Sequence, residues 1–70
     1  MDIETGKTYK VTFPSGMHKS DFAKCLGMAR KIKGSSYDAA GKTWTIPADW
    51  DITVSRLSEM DDRGAIVTEV

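Results

Sequence analysis

Residues 7–13 alternate between apolar and polar side chains, with Tyr9, Val11 and Phe13 on one side and Thr8, Lys10 and Thr12 on the other. A period of two predicts a half-buried strand, and Pro14-Ser15-Gly16 ends it. From about Lys19 the period changes. Phe22, Cys25, Leu26, Ala29 and Ile32 recur at helical spacing, while Ser20, Lys24, Gly27 and Lys31 point away, which predicts an amphipathic helix of about a dozen residues. Ser20 or Ser15 can cap its start, and Gly34 is the natural stop.

The next segment, Tyr37-Asp38-Ala39-Ala40-Gly41-Lys42-Thr43-Trp44-Thr45-Ile46-Pro47, reads as a tight hairpin. Asp38 and Gly41 suit the first and last positions of a type I turn, with Gly41 as the left-handed residue of a bulge. Asp38 then opposes Lys42, Tyr37 opposes Thr43 and Ser36 opposes Trp44. In that register Trp44 and Ile46 share a face with Lys42, and Tyr37 shares the other face with Thr43 and Thr45. Pro47-Ala48-Asp49 opens a second helix in which Trp50, Val54 and Leu57 form an apolar stripe that runs on to Met60. Residues 50–54 also alternate like a strand, but the continuing stripe and the carboxylates of Asp49 and Asp51 favour a helix start. Asp61-Asp62-Arg63-Gly64 is a turn, and residues 65–70 form a terminal strand. The expected order is βαββαβ, an α+β domain with a small antiparallel sheet and two helices on one face, compatible with the split βαβ arrangement of ferredoxin-like folds. Residues 1–6 are expected as a loose tail, and residues 7–70 as one compact domain.

Length narrows the possibilities. Seventy residues lie near the lower limit for a core without staples. One cysteine excludes an intramolecular disulfide and, with His18 the only histidine, is expected as a small buried thiol in a reducing, cytoplasmic setting. Met1-Asp2-Ile3-Glu4 is not a signal peptide, and no apolar run approaches the roughly 20 residues that span a bilayer, so no membrane partner is expected. The formal net charge is zero but unevenly spread. Residues 7–42 hold eight cations and two carboxylates, a net +6, whereas residues 43–70 hold two cations and six carboxylates, a net −4. Such asymmetry fits either a solvated dipolar surface or a nucleic-acid footprint in the first half.

Catalytic constellations are missing. His18 has no local partner, no Gly-x-Ser-x-Gly elbow or phosphate-binding glycine loop occurs, and the acidic group Glu59, Asp61 and Asp62 lacks a calcium-loop glycine. No enzyme, cofactor or metal is expected. Binding is the remaining class. An open sheet face carrying Lys10, Tyr37 and several threonines can stack a base and hold a phosphate, although Tyr37 can equally pack the hairpin edge. Arg30, Lys31 and Lys33 at the first helix's end, with Lys42 on the hairpin, are the other candidate phosphate contacts. Cations favour a helix C-terminus whatever the function, and Lys42 can instead pair with Asp38.

The hairpin also resembles an element of the HARP-like accessory domains that sit beside the motor of annealing helicases and related DNA-remodelling enzymes. The resemblance rests on Tyr37-Asp38, a short turn, Lys42-Thr43-Trp44 and Ile46-Pro47, with Phe13-Pro14 and the amphipathic helix upstream. It implies a module that contacts single-stranded or branched DNA, with Tyr37, Asp38, Lys42 and Trp44 matching the hairpin pattern and Asp38 and Trp44 structural. Ala39 stands where the pattern often has proline, and no motor follows within these residues. The resemblance therefore implies a free accessory, or an adaptor or decoy acting on a partner such as a helicase or nuclease. The rival expectation is a small protein–protein interaction factor, such as a phage or mobile-element inhibitor or adaptor, that uses an exposed edge of the terminal strand.

Overall fold

The computed structural model describes residues 2–70. Six elements follow the expected order: β1 (Thr8–Thr12), α1 (Lys19–Lys31), β2 (Ser36–Asp38), β3 (Thr43–Pro47), α2 (Asp51–Asp62) and β4 (Ile66–Glu69). The strands form one sheet in the order β2-β3-β1-β4, with every neighbouring pair antiparallel. Each helix therefore links two strands that flank a third, as in interleaved split βαβ units.

Alternation in β1 has the predicted consequence. Tyr9 and Val11 are fully buried at the sheet's centre, where Tyr9 opposes Ile46 and Val11 opposes both Trp44 and Val67. These residues meet Cys25 and Ala29 of α1 and Leu57 and Met60 of α2 in a single core. Thr8, Lys10, Thr12, Thr43, Thr45, Ile66 and Thr68 lie at the alternate register positions, on the opposite face. Among the described residues no helix is long and apolar enough to cross a membrane.

The helix boundaries have local causes. The α1 N-cap is His18, whose Nδ1 accepts from the Ser20 amide at 3.2 Å and lies 2.8 Å from the Ser20 hydroxyl, in place of the serine caps expected. At its other end the Ser35 hydroxyl lies 2.8 Å from the carbonyl oxygens of both Ala29 and Ile32, which meets the need of a helix end for partners. The α2 stripe is Thr53, Leu57 and Met60, not one that begins at Trp50, and Thr53 is the only buried polar residue among those described. Arg63 caps α2 and ties the helices together, donating through Nη1 to Asp21 of α1 at 2.8 Å and through Nε to Glu59 at 3.1 Å. Burial pushes the Cys25 thiol up from its ordinary value, and the nearby Arg63 cation opposes that shift.

Of the stretch 1–6 expected as a loose tail, residue 1 lies outside the described residues. Ile3 packs against the core, the Glu4 amide donates to the Tyr9 hydroxyl at 2.9 Å and the Gly6 amide donates to Ala48 O at 2.8 Å. Lys7 bridges Glu4 and Glu69, each at 3.1 Å, and the two carboxylates, Glu69 first, raise the pKa of its ammonium.

Gly34 fulfils its expected role for a specific reason. Its φ is +86°, and a β-carbon there would come within 3.0 Å of Pro47 Cγ at the end of β3. Gly34→Ala should therefore lower the unfolding free energy by roughly 1–3 kcal/mol, as measured by denaturant titration, because strain and crowding act together.

Candidate nucleic-acid interface

The hairpin departs from its expected register, and that departure moves an aromatic ring. Asp38 opposes Thr43, Tyr37 opposes Trp44 and Ser36 opposes Thr45, so the loop is residues 39–42, one longer on the β3 side than expected. The cause is local. The Asp38 carboxylate accepts from the Ala40 amide at 3.1 Å and starts a tight turn, and the left-handed residue that returns the chain to the sheet is Lys42, with φ +52°, rather than Gly41. A one-residue slip reverses the faces. Tyr37 accordingly leaves the open sheet face and joins Trp44 on the helix side, with ring centroids 5.1 Å apart. The expected Lys42–Asp38 pairing is absent.

The expected contact residues consequently separate. Lys10 remains on the open face between Thr45 and Thr68. Arg30, Tyr37 and Lys42 line a cleft of about 400 Å³ between α1 and the hairpin, together with Phe13, Phe22, Leu26 and Trp44. Lys31 and Lys33 line a different groove, of about 570 Å³, on the other flank of α1 against α2.

This second groove draws cations from two helices. Lys24, Lys31 and Lys33 come from α1 and the turn after it, Arg56 comes from α2, and no carboxylate lines the groove. None of the four makes an ion pair among the described residues, where Arg63 engages Asp21 and Glu59, and Lys7 engages Glu4 and Glu69. Trp50 and Ile52 form an apolar wall, 54% and 64% exposed respectively. Trp50 also occupies the α2 N-cap without a side-chain cap bond, a position where Ser, Thr, Asp or Asn would be worth about 1 kcal/mol more. Asp49 and Asp51 flank it in sequence, but neither lines the groove.

Gly27 lines the same groove from the middle of α1. A β-carbon there would meet nothing within 4 Å, so packing does not require a glycine. Sequence reasoning missed Lys24, Trp50 and Arg56. Lys24 had the pattern of an ordinary polar face, Trp50 fell at core spacing and Arg56 lies in the acidic half. Trp50 at an uncapped helix start was the signal available.

Chemically the groove can hold negative charge beside an exposed ring, but it offers no nucleophile–base pair. Among the described residues no three or more histidine, cysteine, aspartate or glutamate side chains gather to hold a metal. Neither the family models, nor the curated proteins, nor the solved structures compared with this chain include a match to it.

Two substitutions should separate what the fold needs from what these surfaces display. Gly27→Ala should raise the unfolding free energy by about 0.5–1 kcal/mol, since it removes only the helix-interior cost of glycine. Lys42→Gly should raise it by up to about 1 kcal/mol by relieving the left-handed backbone. Denaturant titration checks both. A loss of stability in either variant would mean that the residue serves the fold.

Proposed function

We propose that this domain is a non-enzymatic nucleic-acid-binding module that holds the phosphate backbone of single-stranded or branched DNA in the groove between α1 and α2. The observation that carries this reading is the gathering of Lys24, Lys31, Lys33 and Arg56 around one groove without a carboxylate in its lining. Unpaired cations on two adjacent helices repel one another, and a polyanion relieves that repulsion while releasing its own counterions. Trp50 supports a partly unpaired ligand, because an exposed indole can stack on any base, whereas the bases of a duplex are already stacked on each other. The resemblance of the hairpin sequence to HARP-like domains points to the same class of ligand. In such a module, sequence preference is weak and affinity depends on salt, because the groove offers charge and a ring but few groups that would read base edges.

The test is a fluorescence titration with single-stranded, duplex and forked oligonucleotides at two salt concentrations. Binding should weaken steeply with salt. Replacing Lys24, Lys31, Lys33 and Arg56 together by glutamine should flatten the plot of log affinity against log salt by up to about 3–3.5 units, at roughly 0.7–0.9 per lost phosphate contact. Lys10→Gln, on the opposite face, should leave that slope unchanged. Absence of binding to all three oligonucleotides at low salt would sink the proposal.

A further inference from the structure

The cleft on the other flank of α1 differs chemically from the cationic groove. Its walls are two aromatic pairs: Phe13 and Phe22 meet edge to face at 5.6 Å and 78°, and Tyr37 and Trp44 meet at 5.1 Å and 46°. Leu26 is also part of the lining, and Arg30 and Lys42 supply the charge, with no carboxylate lining the cleft. Phe22 and Tyr37 are 42% and 52% exposed, although a small domain gains by burying such rings. Neither cation makes an ion pair among the described residues. Lys42 is also the only described non-glycine residue with a positive φ, so the chain holds a cation in strained backbone directly after a glycine that could have taken the strain.

We infer that the cleft between α1 and the hairpin is a docking site for an acidic peptide segment of a partner protein, with a large apolar or aromatic side chain between the ring pairs and flanking carboxylates on Arg30 and Lys42. The polar groups of the lining decide the class of ligand. Arg30 and Lys42 only donate, and the Tyr37 hydroxyl donates as readily as it accepts. Carboxylates, like phosphates, only accept, which matches these cations; the rings beside them suit an apolar side chain rather than a base edge, which presents donors and acceptors together and would leave its donors short of partners. Shape agrees. A cleft of about 400 Å³ suits one bulky side chain with its neighbours. With nucleic acid on one flank of α1 and a peptide on the other, the domain would act as an adaptor. The cleft's chemistry stands whether or not the groove binds nucleic acid.

The experiment uses a fluorescein-labelled peptide of aspartates around a central pair of phenylalanines. One control peptide has asparagine for every aspartate and another has alanine for both phenylalanines. Fluorescence anisotropy should show binding of the parent peptide and at least tenfold weaker binding of each control. Arg30→Gln combined with Lys42→Gly should weaken the parent peptide at least tenfold while the thermal midpoint does not fall and oligonucleotide affinity is unchanged. No binding at millimolar protein, or equal binding of either control, would overturn the inference. Mutual displacement of peptide and oligonucleotide would also overturn it and assign the cleft to nucleic acid. Peptide binding in a protein that ignores every oligonucleotide would retain the cleft and remove the proposed function instead.

Discussion

The narrow seam between α1 and the sheet is the contact on which the remaining surfaces depend. Only Cys25 and Ala29, four residues apart on one face of the helix, are fully buried there. Both are small, so the helix is anchored along a line, and the larger Phe22, Leu26, Met28 and Ile32 spread to its sides, where burial is incomplete. A helix seated on a broad stripe of leucines would have sealed its flanks against the neighbouring elements. Here both flanks stay open. One groove faces α2 and one cleft faces the hairpin, and α1 lines each of them.

Charge pairing completes the arrangement. Arg63 engages Asp21 and Glu59, and Lys7 engages Glu4 and Glu69, so two cations satisfy four carboxylates and hold the helix pair and the sheet end. These exposed or half-exposed bridges contribute little to stability individually. Their larger effect is on the surface, because the cations of α1 and Arg56 are left without carboxylate partners around α1. A chain of zero net charge thus presents, between α1 and α2, a groove with four cations and no carboxylate in its lining. The same segregation puts aromatic rings on the hairpin side of α1 and Trp50 on its α2 side, so the two openings differ in chemistry.

The six elements and their order were legible in the sequence because periodicity reports them directly: two in β1, near 3.6 in α1, and glycines at the ends of both helices. Residues 50–54, which alternate as well as a strand would, form the start of α2 because Thr53, Leu57 and Met60 bury together. The hairpin register was not legible. It depends on whether the Asp38 carboxylate captures the Ala40 amide, a choice that lengthens the loop by one residue and turns Tyr37 over. Partial burial was also hidden, since Phe22 and Trp50 have core spacing but lie beyond the width of face that each helix buries. The interface was half legible. Lys31 and Lys33 were visible in the local charge run, whereas Lys24 and Arg56 join them only when the helices pack side by side.

The central claim is that the helix layer, not the open sheet face, receives the polyanion. Titration of the isotopically labelled protein with a short single-stranded oligonucleotide, followed by amide and indole NMR shifts, tests it residue by residue. The account predicts that the largest shifts fall on Lys24, Gly27, Lys31, Lys33, Arg56 and the Trp50 indole, while Thr8, Lys10, Thr12, Thr45 and Thr68 stay still. Shifts concentrated on that threonine-rich face, or no shifts at low salt, would contradict it.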